Sequence, residues 1–585
     1  MNKATACPLD CYDSCEIVFQ DGDIKAKKDG YTQGFLCPHL NHYENFKTIE
    51  SPSYKGEAIT LQESLNILKE MLKKSAKSEI LHYRGNGNFG LMQEVTDHFF
   101  SAFDATLTDG SLCDGAGEAG IVEGRGSNKN MPLSEIAKSE VVILWGRNPH
   151  TTSTHLLPLL KDKTIIVIDP IKTEIAKKAE LHIQLKPHGD YALAMLLSRF
   201  AFLHGFCDEE YMRTYASEYE EFYELTQTIR IKAITKEIDV SLGDIGRLLT
   251  LIKNKKVAIV CGVGIQKYSD GADVMRAIDA FATFIALFGK EGSGVSYLGN
   301  SKEGIISPFI QTKKRKISKV DTLFSIYKTV FIQGANPLAQ MPNSERVKKS
   351  IEKVENLIYF GLYENETSKQ ADLIIPAKSF LYKNDIRTSY SHNAMIVMNK
   401  QLESDIGISE YDLASYLCKE FDITLESENF YIEHFKSLTA KQKDGSLVVR
   451  DRDTIPYING FDTDDGEFLF LEEYDNDFNM TQGMFLITPK SKNSLNSQFR
   501  REERVYLNSS CGYKEDERVT IKSVTGEVRL KVKIDNSIRE DCVLIYSGTK
   551  GVNNLTSSKH SLDGKNAIFQ ENKVRLEKIQ IEEEK

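Results

Sequence analysis

A series of short apolar runs, each ending in Gly, Asp, Asn or Pro, narrows the fold of this chain most. They read VVILWGRNP (141–149), TIIVIDP (164–170), VAIVCGVG (257–264), TVFIQGANP (329–337), NLIYFGLY (356–363) and ADLIIPA (371–377). Runs of four to six apolar residues rich in Val and Ile are the pattern of strands buried on both faces. Between several of them lie apolar segments of helical pattern, YALAMLLSRFAFLHG (191–205) and DVMRAIDAFATFIALFG (273–289). Such alternation predicts an α/β chain with parallel sheets, more than one of them. Ligands of such sheets bind where strand carboxyl ends meet polar loops. Here those loops are GRNP, DPIKT, GVGIQ and GANP.

Outside these runs, LQESLNILKEML (61–72) spaces its leucines as a helix does. The segment from 440 to 480, with FDTDDGEF and YDNDFNM, is acidic and predicts a connector or solvated face. From 484 onward FLITP, RVYL, RVTIKSVTGEVRLKVKI and CVLIYSG alternate and are punctuated by turns, which predicts a C-terminal β-barrel. At 585 residues several domains are expected. No apolar run approaches the roughly 18 residues of a membrane span. The first residues, MNKATACPLD, carry neither an apolar signal core nor a twin-arginine pair, so a cytoplasmic location is expected. A net charge of -10 without a long basic patch argues against nucleic-acid binding.

Ten cysteines are too few for a disulfide scaffold, but four of them crowd the first 37 residues. Cys7, Cys11, Cys15 and Cys37 follow C-x3-C-x3-C-x21-C. Three thiolates on one short loop, closed by a fourth from a later loop, suit the corners of a cubane [4Fe–4S] cluster. The alternatives are zinc, whose structural sites more often pair cysteines two and two, and a chance group of buried free thiols. Pro8 and Pro38 stiffen the two loops.

Together these parts resemble the molybdopterin oxidoreductase family, the dimethyl-sulfoxide-reductase type of molybdenum or tungsten enzyme. The resemblance rests on the four cysteines, GSLCDGAG (110–117), WGRNP (145–149) and IDPIKTEIAKKAELHIQLKPHGDYAL (168–193). It continues through GVGIQKYSDG (262–271), GANP (334–337), NETSKQADLIIPA (365–377), LITPKSKNSLNSQF (486–499) and VNNLT (552–556). It implies an iron–sulfur domain over 1–50 and a discontinuous α/β domain over 51–130 and 310–440. A second α/β domain over 131–309, a connector over 441–480 and a dinucleotide-binding barrel over 481–585 complete the expected architecture. The two α/β domains would surround a pseudo-two-fold cofactor site.

The cofactors implied are one [4Fe–4S] cluster and a bis-molybdopterin guanine dinucleotide carrying Mo or W. By the same resemblance Gly146, Arg147, Asn148 and Pro149 contact a pterin, and Asp169 meets a guanine. Pro187, Gly189 and Asp190 form a second cofactor loop, and Gly262 and Gly264 belong to the same half. Gly334, Asn336, Pro337, Thr367 and Asp372 line the other half, while Asn496, Ser497 and Asn553 reach the pterin from the barrel. An Asp after a strand also caps helices in proteins without any cofactor, which is the bland alternative for Asp169.

Cys113 is expected to ligate the catalytic metal. A soft thiolate suits a metal already bound by dithiolene sulfurs, and Gly110, Gly115 and Gly117 around it let backbone approach a bulky group. Ser111 and Asp114 are the fallback ligands, and a small buried cysteine is the competing view. Asp114 stands where formate dehydrogenases of the family carry His, which disfavours formate oxidation. Pro38 and His39 stand where many members carry an electron-relay Lys. His82, Arg84, His150, His155 and the RTSYSHN run (387–393) are polar candidates for a substrate funnel.

The function implied is oxygen-atom transfer or reduction of a small oxo-anion, S-oxide or N-oxide. Electrons would pass through the single cluster to or from a separate protein partner. The rivals are a metal-free iron–sulfur subunit of the complex I type, a formate dehydrogenase, and a non-redox hydratase or hydroxyltransferase.

Overall fold

A computed structural model of the chain describes residues 3–30, 32–40, 43, 46–85, 87, 90–216, 218–309, 315–474 and 482–579. The acidic stretch 475–480 therefore lies outside the described residues. The chain divides into two compact units. The first comprises residues 1–110, 301–452 and 493–500, and the second 111–300, 453–492 and 501–585.

The first unit opens with a three-stranded antiparallel sheet of Lys3–Ala6, Glu16–Gln20 and Asp23–Ala26. Its main sheet has eight strands. In spatial order they are Lys316–Ser318, Thr106–Asp109, Ile80–Arg84, Thr329–Gln333, Asn356–Gly361, Leu373–Pro376, Ser53–Tyr54 and Glu57–Ala58. The first six are parallel. All five residues of Thr329–Gln333 are buried, as a strand covered on both faces requires. The predicted helix forms as Leu61–Lys73, started by a capping box between Thr60 and Glu63. Its Leu65, Leu68 and Leu72 pack on Phe331, Ile358, Phe360 and Leu373 of the sheet. The run 387–393 begins at the end of strand Asp385–Arg387, antiparallel to Ala394–Met398.

The second unit holds a five-stranded, wholly parallel sheet. Its order is Leu181–Ile183, Thr164–Ile168, Val141–Trp145, Val257–Cys261 and Gly294–Ser296. The predicted helices form as Asp190–Leu203 and Gly271–Phe284. A third helix, Gly115–Arg125, packs on Gly271–Phe284 and carries at its end Arg125, whose Nε donates to Asp279 Oδ2 at 2.7 Å. Both side chains are buried. The C-terminal segment closes the expected barrel with six strands, in the order Met484–Ile487, Cys542–Leu544, Arg504–Leu507, Glu527–Ile534, Arg518–Lys522 and Lys573–Lys578. Residues 493–500 leave the barrel sequence as a small hairpin and belong to the first unit.

The two parallel sheets share one wiring. In the second unit the chain runs outward from Val141–Trp145 to one side, then returns to Val257–Cys261 and runs outward to the other. In the first unit Thr329–Gln333 and Ile80–Arg84 are the corresponding central pair. Each central pair is a topological switch point, where successive connections diverge and leave a crevice beyond the strand ends.

The Arg125–Asp279 pair locks two helices together with both charges buried. Asp279→Ala should therefore lower unfolding free energy by about 3–5 kcal/mol, measured by urea denaturation. A loss under ~1 kcal/mol would mean that the pair contributes no more than an exposed one.

Candidate functional site

The crevice of the second unit is shaped by backbone. Gly146, at φ 62°, follows Val141–Trp145 and donates its N–H to Ile168 O at 2.7 Å. Gly262 follows the neighbouring strand and donates to Trp145 O at 2.7 Å. A Cβ on Gly262 would sit 1.7 Å from Gly146 O, so no other residue fits there. Arg147 is buried and its guanidinium bonds the Ser153 hydroxyl. Asn148 Oδ1 accepts the His150 N–H at 3.2 Å, and its amide donates to Thr151 at 3.2 Å, folding the GRNP turn before and after Pro149. At Gly264 an added Cβ meets open space, so the rim is open there.

Asp169 follows Thr164–Ile168 and is nearly buried. Its Oδ1 accepts the Ile171 N–H at 2.8 Å, and among the described residues no cation pairs with it. Burial pushes its carboxyl up to about 7, with Asp190 adding repulsion. Asp190, after Pro187 and the helix-capping Gly189, accepts the Trp145 indole N–H at 2.7 Å and is pushed by burial to about 6. It thus ties a helix start to the end of a central strand. Asn553, in the last part of the barrel, is buried and accepts from the Thr556 hydroxyl.

Cys113 lies on the loop that starts helix Gly115–Arg125. Its N–H donates to Ser111 Oγ at 2.8 Å and its carbonyl accepts from Gln266 at 2.8 Å. Gln266 also accepts the Gly117 N–H at 2.9 Å, so the loop after Val257–Cys261 holds the cysteine loop in place. Ser111 donates to Asp114 Oδ1 at 2.8 Å. The two fallback ligands are thereby engaged with each other. The sequence reading missed Lys267, whose ammonium lies 4.8 Å over the Phe569 ring. Burial pulls that lysine below its ordinary range, and Cys113 acts in the opposite sense. Only its position one residue after Gln266 hinted at this.

The first unit repeats the crevice. Gly334, at φ 54°, donates to Phe360 O at 2.8 Å, and Gly85 donates to Gln333 O at 2.8 Å. A Cβ on Gly85 would lie 2.4 Å from Gly334 O. Asn336, next to Pro337, is buried and spans three segments. Its amide donates to Glu366 at 2.8 Å and to Ser497 Oγ at 3.1 Å, while its Oδ1 accepts from the Thr367 hydroxyl at 2.9 Å. Asn496 donates to Asp10 at 3.3 Å. Asp372 is not brought to this crevice. It precedes Leu373–Pro376, at the amino end of the parallel strands, and accepts the Leu357 N–H at 2.8 Å. His82 and Arg84 are drawn inward as well. His82 stacks on Phe100 and bonds Gln333 at 3.0 Å, and Arg84 pairs with Asp97 at 2.7 Å.

Cys7, Cys11 and Cys15 occupy the connection between Lys3–Ala6 and Glu16–Gln20, closed by a Cys7 N–H to Cys15 O bond at 2.8 Å. None of the four N-terminal cysteines is in a disulfide. Burial pushes Cys7 up to about 11, Cys11 and Cys37 to about 12 and Cys15 well above its ordinary value, and each is raised further by at least one of the others. Four thiols outside any disulfide, close enough to repel one another as thiolates, form a donor set that a soft cation would relieve.

Residues 57–407 match the family model described as Molybdopterin oxidoreductase. The chain belongs to that family. It is 28% identical over 447 residues to the probable oxidoreductase YyaE of Bacillus subtilis, covering 70% of this chain and 67% of that one. Against the assimilatory nitrate reductase catalytic subunit of the same organism the identity is 25% over 456 residues, covering 64% and 62%. Against the F420-dependent formate dehydrogenase subunit alpha of Methanocaldococcus jannaschii it is 22% over 462 residues, covering 67% and 66%. The matched region thus spans 62–67% of these relatives. Among solved structures the fold is similar to acetylene hydratase from Pelobacter acetylenicus, with a TM-score of 0.77, 15% identity and 93% coverage of both chains. No helix among the described residues is long and apolar enough to cross a membrane.

Asp169 gives a pH signature. Its folded value of about 7 lies above the ~3.9 of an unfolded Asp. Between those values the folded chain binds more protons, so stability falls as pH rises and the loss persists above 7. Asp169→Asn should raise the melting temperature of cofactor-free protein at pH 8 and flatten its decline from pH 5. An unaltered slope in scanning calorimetry would show that Asp169 does not titrate there.

Proposed function

We propose that this chain is a molybdenum- or tungsten-pterin oxidoreductase acting on a small oxo-anion, S-oxide or N-oxide. Electrons would be exchanged with a separate protein through one N-terminal [4Fe–4S] cluster. The observation that carries the reading is the doubled crevice, because two glycine-closed switch points suit two pterin nucleotides, one per unit.

The residues fit these groups. A buried Asp169 without a cationic partner is a natural acceptor for the N1–H and N2–H2 donors of guanine. Gly146, Arg147, Asn148 and Pro149 with Gly262 and Gly264 would frame one pterin. Gly334, Asn336, Pro337, Thr367, Asn496 and Ser497 would frame the other, and Asn553 belongs to the barrel side. Cys7, Cys11, Cys15 and Cys37 would hold the cluster, and Cys113 would ligate the metal. When bound, the metal supplies two-electron oxygen-atom exchange and the cluster supplies one-electron transfer.

The chain's own part is positioning. Gln266 fixes the cysteine loop at two points, the Cys113 carbonyl and the Gly117 N–H, and Ser111 and Asp114 bond each other. The positive end of helix Gly115–Arg125 favours the thiolate form. Lys267, which interacts electrostatically with Cys113 and Asp114, would attract an anionic substrate.

Anaerobically purified protein should contain about four irons, one Mo or W and extractable pterin per chain. Cys113→Ala should abolish dye-linked turnover while leaving iron content unchanged. Iron without Mo, W or pterin would replace this reading with an electron-transfer subunit. Turnover that needs no electron donor or acceptor would replace it with a hydratase.

A further inference from the structure

The run 387–393 is neither a surface loop nor a funnel lining. It is a buried strap laid against the cysteine loop of its own unit. Arg387 is fully buried, and its Nη2 donates to Leu9 O at 2.5 Å and to Ser14 Oγ at 3.1 Å. Ser389 Oγ donates to Tyr12 O at 3.2 Å, Ser391 Oγ to Asp13 O at 3.4 Å and His392 Nε2 to Asp13 O at 3.1 Å. Arg452 clamps the strap from behind, donating to Ser389 O at 3.0 Å and His392 O at 3.3 Å.

This arrangement polarises the loop. Its carbonyls at 9, 12 and 13 turn toward the strap. The N–H groups of Leu9 and Asp13 turn toward the sulfurs of Cys7 and Cys11. Arg387 also brings a permanent charge to Cys7 and Cys11, beside the Arg452 guanidinium that holds the strap. An arginine stays protonated at any pH a protein survives, and in a dry interior a unit charge acts strongly over several ångströms. Arg387 stabilises the thiolates of Cys7 and Cys11, against the opposing charge of Asp13 on the loop itself. A serine or a backbone donor would hold the loop as well, but would not supply that field.

We propose that Arg387 is the positioning residue that sets the reduction potential of the centre held by Cys7, Cys11, Cys15 and Cys37. The inference rests on the iron–sulfur reading above. The couple exchanges one electron with an external donor or acceptor, and the reduced form is more negative by one charge. A fixed cation beside it favours that form and raises the potential. No side chain of the strap gains or loses a proton in the step.

The test is a mediated potentiometric titration of full-length protein, followed by paramagnetic resonance of the reduced cluster. Arg387→Gln should lower the potential. The shift should be at least a tenfold change in the reduced-to-oxidised ratio at fixed potential, about 59 mV for one electron. Arg387→Lys, which keeps the charge, should stay near the wild-type value. The double variant Ser389→Ala with Ser391→Ala removes loop bonds without touching charge and should also stay near it. An Arg387→Gln protein at the wild-type potential overturns the proposal, as does a double serine variant shifted equally far. Should Arg387→Gln fail to hold iron, Arg387→Lys decides. Iron-loaded at the wild-type potential it supports the proposal, and iron-free or shifted it overturns it. Wild-type protein without iron would instead sink the iron–sulfur reading.

Discussion

Backbone meeting backbone at two points organises most of what surrounds the candidate site. At Gly262 against Gly146, and at Gly85 against Gly334, there is no room for a single extra carbon atom. Each contact closes the space between central strands and forces the following loops to diverge on either side of it. The loops then present peptide groups and small residues toward the crevice. A ligand there meets a wall of fixed dipoles, which needs no side chain to reorganise when it binds. That the same closure occurs in both sheets, with the same order of strands around it, makes the repetition a property of the wiring and not of one loop.

Polar groups buried by this closure must find partners inside the fold. Asn336 shows the consequence. Its side chain joins the GANP turn to the Glu366–Thr367 turn and to Ser497, three stretches far apart in the chain. Asp190 does the same between Trp145 and a helix start. Residues of this kind shape the site without offering a free group to a ligand. Asp169 differs from them. Buried at a strand end, with one backbone bond and no cation partner among the described residues, it carries unspent acceptor capacity.

The strands were legible because parallel strands covered on both faces must be continuously apolar. All six Val- and Ile-rich runs contain strands of the two sheets, and their polar ends fall at carboxyl termini. The helix at 61–73 was legible from its leucine spacing, and the barrel from alternation, as Glu527–Ile534 shows in its burial. What stayed hidden was pairing across long separations. Nothing local in RTSYSHN reveals that its donors end on carbonyls more than 370 residues earlier. Asp372 was placed by motif position, yet it precedes its strand instead of following it. The hairpin 494–499 was read as part of the barrel because alternation does not say which neighbour a strand pair joins.

The two sulfur sites also differ in a way that bears on their chemistry. Cys7 and Cys15 are buried, and the loop between them is fastened by a strap whose donors are themselves buried. Buried hydrogen bonds of this kind hold a loop in one arrangement. Cys113 is half-buried at the start of a helix, and its backbone is held by Ser111 and Gln266. Lys267 interacts with it electrostatically. The two sites differ in where their hydrogen bonds fall, not in the cysteines themselves.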